Sequence, residues 1–175
     1  MYHTSLSYFK PQGFRQATTM DMSDVWRLVY TAYKNYIPIL GKTPPTFSED
    51  FDTHVERGNL WLFGRSGSSD AMVVLTPNFD HMLIQAMAVD PDLQGQGLGQ
   101  QLLLFAEYKT SELNLRDLRL YTNSLMERNV RIYTRWGFKQ ISTEPYRWGE
   151  RIHMRKIIPR RKIIKRSQVD HLTLV

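Results

Sequence analysis

The residues best suited to chemistry lie between Leu83 and Phe105. There an apolar run to Val89 stops at Asp90-Pro91 and leads into Gln94-Gly-Gln-Gly-Leu-Gly99. Glycines at 95, 97 and 99 let the backbone approach a ligand with no Cβ in the way. From Leu98, the residues Leu102, Phe105 and Ala106 recur at helical spacing, and Leu103 and Leu104 widen the apolar face. A glycine loop feeding a helix N-terminus offers unpaired N–H groups and the positive end of a dipole, which suits a phosphate. The loop lacks the Gly-Lys-Ser/Thr ending that holds Mg²⁺ beside a triphosphate. Its Gly-x-Gly-x-Gly alternation also differs from the Gly-x-Gly-x-x-Gly of dinucleotide sites. Read alone, the stretch is either a phosphate loop of another kind or a flexible link between two core elements.

The elements that must position it follow from periodicity. Phe14 to Thr18 reads as a short first strand, and Asp21 or Ser23 could cap the next helix. In that helix Val25, Leu28, Val29, Ala32, Tyr33 and Tyr36 form a one-sided stripe that Pro38 and Gly41 should break. Ser48 to Arg57 predicts a short helix capped by Ser48 and stopped at Gly58. Strands follow at Leu60–Arg65, Ala71–Thr76 and Met82–Val89, the first two joined by a turn at Ser66–Asp70. After the glycine-loop helix come a strand at Leu118–Thr122, a helix at Met126–Trp136, and strands at Phe138–Ile141 and Glu150–Ile158. The order β-α-α-β-β-β-α-β-α-β-β predicts an α+β single domain around a mixed sheet flanked by helices. The helix crossing between Met82–Val89 and Leu118–Thr122 makes those two strands parallel neighbours.

Composition narrows the classes. At 175 residues, one domain with a full core is expected. There is no cysteine, so disulfides, thiolate nucleophiles and thiolate metal sites are excluded. The five histidines are scattered without ligand spacing, and no metal is expected. No apolar run approaches a membrane span, and the residues from Met1 lack the pattern of a signal peptide, so a cytoplasmic protein is the expectation. The net charge of +6 is unevenly placed. Residues 151–175 carry 8 of the 23 Lys/Arg and 1 of the 17 Asp/Glu, which leaves the rest of the chain at −1. That argues against a nucleic-acid groove across the body of the protein.

Gln94-Gly-Gln-Gly-Leu-Gly99 resembles the Gln/Arg-x-x-Gly-x-Gly/Ala loop of GNAT-type N-acetyltransferases, and Val89-Asp90-Pro91 resembles the end of that family's central strand. Asn129-Val-Arg-Ile-Tyr133-Thr-Arg-Trp-Gly137-Phe138 is similar to the family's helix ending in Tyr-x-x-x-Gly-Phe. The resemblance spans roughly residues 14–158, between a loose lead-in at 1–13 and a basic tail at 159–175. It implies splayed central parallel strands and transfer of acetyl from acetyl-CoA, without metal, to a primary amine of a small molecule or peptide. Val89, Gln94, Gly95, Gln96, Gly97, Leu98, Gly99 and Gln100 would then hold the cosubstrate, with a backbone N–H near Val89 polarising the thioester carbonyl. One such donor contributes about 2.7–4 kcal/mol in other enzymes. Asn129 would contact the pantetheine arm, although the family's commoner Asn position corresponds here to Met126. Tyr133 would give its proton to the leaving sulfur. Because a phenol titrates near ~10 and a thiol near ~8.5, full transfer to a free thiolate is uphill by roughly 2 kcal/mol.

The general base is not identified by the resemblance. The matching strand position is Gln85, which cannot serve, and His81, Asp80, Glu144 or a water chain are the alternatives. The family's acceptor region corresponds to Tyr36–Phe47 and Glu144–Trp148. There Tyr33, Tyr36, Phe47, Gln85 and Trp148 could wall a pocket, with Glu49 or Asp50 attracting a cationic amine. A non-catalytic acyl-CoA sensor on the same fold is the competing reading, and Gln85 leaves room for it. In the tail, Arg160–Arg166 could bind nucleic acid, or Ile157, Ile158, Ile163 and Ile164 could pack a homodimer. Truncation after Pro159 should leave acetyltransferase activity intact. Polynucleotide affinity carried by four to six phosphate contacts should fall roughly 10²–10³-fold between 50 and 200 mM salt. An isoleucine-packed dimer, followed by light scattering, should be indifferent to that change.

Overall fold

The computed structural model describes residues 12–147 and 149–159. Seven strands form one sheet: β1 (Phe14–Gln16), β2 (Leu60–Arg65), β3 (Ser68–Pro77), β4 (Met82–Val89), β5 (Asp117–Asn123), β6 (Lys139–Pro145) and β7 (Glu150–Ile157). Their order is β1-β2-β3-β4-β5-β7-β6, and only β4 and β5 pair in parallel. The helices are α1 (Met22–Tyr33), α2 (Ile37–Leu40), α3 (Phe51–Glu56), α4 (Leu98–Glu112) and α5 (Glu127–Arg135). As the crossover from β4 to β5, α4 makes the parallel pairing possible. None of the helices among the described residues is long and apolar enough to cross a membrane.

Burying β3 on both faces divides the core in two. Val25, Leu28 and Val29 of α1 pack with Phe51 and Val55 of α3 against Leu60, Leu62, Met72 and Val74. Leu102, Leu103, Phe105 and Ala106 of α4 cover Ala71, Val73, Leu75, Ile84, Leu118 and Leu120 on the other side. Tyr133 and Val130 of α5 pack at the edge of that second cluster. Along β4 the faces change partway: Met82 and Ile84 belong to the α4 side, whereas Ala86 and Ala88 belong to the α1 side. The cause is a bulge. Leu75 faces Ile84 but Val74 faces Ala86, so Gln85 is an extra residue on β4 and the alternation inverts after it.

Several boundaries differ from the pattern-based expectation. Pro38 does not end the first helix. The chain passes through a 3₁₀ turn at Lys34–Tyr36 and resumes as α2, where Pro38 lies in the first turn and needs no N–H acceptor. Gly41, at φ +69°, makes the stop. Asp50 rather than Ser48 caps α3, accepting from the Thr53 N–H at 3.0 Å, while Ser48 closes a separate 3₁₀ turn. β3 begins at Ser68, so the hairpin turn is tighter than expected, with a register shift at Phe63/Gly64. Ile158 has no exposed surface and donates its N–H to the Arg116 carbonyl, so it belongs to this chain's own core and is not available to a second copy. Residues 160–166, with Ile163 and Ile164, and most of the 1–13 lead-in lie outside the described residues.

Two buried aspartates anchor α1. Asp21 heads the helix without capping it; its carboxylate accepts from both terminal Arg15 guanidinium nitrogens, at 2.7 and 2.8 Å, and from the Thr18 N–H and hydroxyl at 2.9 Å each. Asp24 accepts the Ser69 N–H at 2.7 Å and pairs with Arg27, whose guanidinium also reaches the Ser69 carbonyl and Asp90. The Arg15 hydrogen bonds hold the Asp21 carboxyl well below the usual carboxylate range, against the opposing effect of burial. A depressed folded value means that this stabilisation is complete above the ordinary pKa near ~3.9 and is lost as pH falls below it. Asp21→Asn should therefore destabilise by about 1.5–3 kcal/mol at neutral pH. In thermal melts its Tm deficit should shrink steadily as pH is lowered from about 5 towards 2.

Candidate active site

The parallel ladder between β4 and β5 is short, running from Met82↔Leu118 to Ile84↔Leu120 and no further. Past Ile84, β5 continues to Asn123 against β7 while β4 continues to Val89 against β3, so the two strands separate where the bulge sits. A sheet that opens in its middle leaves backbone groups to satisfy. One of them, the Met87 carbonyl, accepts the Tyr33 hydroxyl of α1 at 3.0 Å. Burial pushes the Tyr33 phenol up to about 12, so it remains a donor across the neutral range.

Two cavities meet in this opening. The first, of ≈ 180 Å³, runs along the glycine loop between Met87–Val89, the start of α4 and α5, and takes in Gln94, Gly95, Leu98, Gly99, Arg128 and Asn129. Gly97 occupies the N-cap position of α4 at φ +86°, a conformation that a side chain would strain, and the first intrahelical bond is Gln101 N–H to the Gly97 carbonyl. The N–H groups of Leu98, Gly99 and Gln100 thus begin the helix without acceptors of their own within it. Gln96, Gly97 and Gln100 are exposed outside this cavity's lining, while Val89 lies within it. Arg128, which sequence reasoning passed over, stands 3.4 Å from the Gln94 amide oxygen and adds a cation beside the helix N-terminus.

The second cavity, of ≈ 310 Å³, lies across the opening, and its polar lining includes Glu49, Gln85, Tyr121, Tyr146 and Arg151. Tyr33, Asn129 and Tyr133 border both cavities. Tyr36 borders the first, donating its hydroxyl to the Asn129 amide oxygen at 3.2 Å. Burial raises the Tyr133 phenol well above its ordinary value, and the neighbouring Tyr33 and Tyr36 phenols act in the same direction. It therefore stays protonated across the neutral range. Phe47 lines neither cavity; its ring stacks on Tyr30 at 6.0 Å. Trp148 lies outside the described residues.

The side chains considered as bases are dispersed. His81 and Asp80 pair at 2.6 Å before the start of β4, with Arg119 on Asp80, at the closed end of the strand. Glu144 is on β6, engaged by Arg151 and His153 at 3.1 and 3.2 Å. Asp50 is occupied as the α3 cap. Glu49 alone of these carboxylates lines the second cavity. It was singled out in the sequence only as an attractor of cations, and its partners in the fold carry no spacing signal.

Comparison with known proteins places this geometry. The family described as acetyltransferase (GNAT) domain matches residues 56–140. The aminoalkylphosphonate N-acetyltransferase of Salmonella typhimurium is 30% identical over 135 residues, covering 72% of this chain and 84% of that protein. The mycothiol acetyltransferase of Actinosynnema mirum is 42% identical over 57 residues, but this chain spans only 19% of its length. The PaiA N-acetyltransferase of Thermoplasma acidophilum, solved in complex with coenzyme A, superposes with TM-score 0.71 at 16% identity, over 82% of this chain and 97% of that one. The chain belongs to the GNAT acetyltransferase family.

Gly99 offers a clean test of the loop. An added Cβ there meets nothing within 4 Å and the backbone is not left-handed, so Gly99→Val should leave the melting temperature unchanged or slightly raised. Its side chain should nonetheless crowd the helix N-terminus and lower acetyl-CoA affinity more than about tenfold by calorimetry, a loss of at least ~1.4 kcal/mol. Unchanged affinity would remove the loop from the ligand site.

Proposed function

We propose that the protein transfers an acetyl group from acetyl-CoA to the primary amine of a small molecule or peptide by direct attack on the thioester. The observation that carries this reading is the meeting of a loop-ended cavity and a polar cavity at Tyr133 and Asn129, across the opening between β4 and β5. Acetyl-CoA supplies the activated acetyl group. The loop N–H groups and Arg128 hold its phosphates, and Asn129 lies beside the path to the opening. A backbone N–H near Val89, on the strand released from β5, is placed to stabilise the charge that develops on the thioester oxygen. The amine nitrogen forms its bond to the carbonyl carbon, the C–S bond breaks, and Tyr133 donates to the departing sulfur. In balance, an ammonium and an acetyl thioester give an amide, a thiol and one proton.

The acceptor cavity carries charges of both signs. Glu49 borders it on one side, and Arg151 borders it on another, stacked over the Tyr121 ring at 4.8 Å and the Tyr146 ring at 3.8 Å. A small amine bearing an acidic group fits such a site, the ammonium toward Glu49 and the anion toward Arg151. The likeness to an aminoalkylphosphonate N-acetyltransferase supports that choice of acceptor.

Thiol release from acetyl-CoA should be observed with amino-phosphonates or amino-carboxylates and be weaker with the same amines lacking the acid. Protection of the protein by acetyl-CoA against heating, with no turnover on any amine, would instead establish the sensor reading. With an acceptor in hand, Tyr133→Phe should lower kcat about 10²–10⁴-fold. Acetyl-CoA affinity should stay within about twofold, because the hydroxyl acts on the sulfur only as the bond breaks. A near wild-type kcat would return Tyr133 to packing against Phe138.

A further inference from the structure

An alkyl ammonium has no lone pair to attack with, so acetyl transfer requires a group to take its proton. The inference rests on the acetyl transfer proposed above and names that group. Gln85, at the bulge, carries an amide, which does not accept protons at neutral pH. Its Nε2 lies 3.0 Å from the Tyr121 hydroxyl and 3.5 Å from each carboxylate oxygen of Glu49. Glu49 does not come from the sheet. It sits in extended backbone between the 3₁₀ turn Pro45–Ser48 and α3, which brings its side chain over the opening from the α1 side.

Behind it stands His54 of α3, buried, with Nε2 2.9 Å from the Glu49 Oε1. The other ring nitrogen, Nδ1, is buried with no hydrogen-bond partner among the described residues. An unpaired N–H there would leave a donor unsatisfied, so the proton belongs on Nε2, where it is donated to the carboxylate. His54 thus fixes one oxygen of Glu49, and the amide of Gln85 approaches both. The Glu49 side chain is 25% exposed, which leaves it a route to solvent.

The geometry points to Glu49 as the general base, with His54 and Gln85 as positioning residues. A proton leaves the ammonium for a Glu49 oxygen and passes from there to solvent. The neutral nitrogen then forms its bond to the carbonyl carbon, the C–S bond breaks with Tyr133 donating to the sulfur, and the nitrogen's second proton replaces the one Tyr133 gave. The groups around Glu49 are His54 of α3, Tyr33 of α1, Gln85 of β4, Tyr121 of β5, Tyr146 between β6 and β7, and Arg151 of β7. Of these, Tyr33 and Tyr121 are held above the ordinary phenol value by burial, and neither can substitute as a base at neutral pH.

The test compares wild type with Glu49→Gln on two acid-bearing acceptors of matched skeleton: an aminoalkyl phosphonate, whose amine is charged at neutral pH, and its aminooxy analogue, whose nitrogen is neutral there. On the charged amine kcat/KM at neutral pH should fall about 10²–10⁴-fold. On the neutral acceptor the loss should shrink to less than about tenfold, since no proton need be removed before attack. Acetyl-CoA affinity, measured by calorimetry, should not change. His54→Leu should lower kcat on the charged amine with little change in KM, and His54→Gln, which keeps a donor, should restore it. Equal losses on both acceptors would overturn the assignment. Absence of turnover by the wild type on either acceptor would overturn the transferase reading itself.

Discussion

The site depends on one interruption. β4 and β5 are parallel neighbours for three residue pairs and then separate, because the extra residue at Gln85 inverts the facing of β4 and turns it from its partner. A continued ladder would fill the space with backbone hydrogen bonds and leave no passage between the two faces of the sheet. Instead Tyr33 satisfies the freed Met87 carbonyl, and the two cavities border the same three residues, Tyr33, Asn129 and Tyr133. The bulge also sends Ala86 and Ala88 to the α1 side, where small side chains let that helix approach the strand closely.

Holding such an opening requires rigid borders, and charged groups supply them. Arg27 joins α1 to the start of β3 through Asp24 and the Ser69 carbonyl, and to the end of β4 through Asp90. Asp90 also donates its own N–H to the Asp70 carbonyl, so the residue that opens the link to the glycine loop is tied to β3 by its backbone and to α1 by its side chain. A loop whose glycines confer freedom is thereby fixed at its base, and α4 fixes it at the other end. Freedom is kept only where the ligand must be approached.

The electrostatics of the opening follow from burial. Tyr33 and Tyr133 are both held protonated by exclusion from water, one serving structure and the other placed at the junction of the cavities. Around them the second cavity carries Glu49 and Arg151, each steadied by a partner: His54 for the carboxylate, and the Tyr121 and Tyr146 rings with Glu144 for the guanidinium. The Arg151–Glu144 pair is partly exposed, so solvent screens it and it can be exchanged for a ligand's anion.

What the amino-acid sequence determined alone is what short-range periodicity encodes. The Val25–Val29 stripe, the β4 run, the glycines at 95, 97 and 99 and the Tyr133-x-x-x-Gly137 helix end each announce an element within a few residues. Local patterns persist because apolar spacing and left-handed glycines are properties of neighbouring residues. Boundaries were less legible where tertiary packing overrode a local signal, as where α2 resumes around Pro38 and where Asp50 takes the cap from Ser48. The acceptor side was decided by tertiary structure. Glu49, Gln85, Tyr121 and Arg151 come from separate elements with no spacing relation, and nothing in Gln85 as a residue type marks an unpaired position in a ladder. They meet only because the register of β3 against β4 leaves one residue over, and register is a property of two strands together rather than of either one.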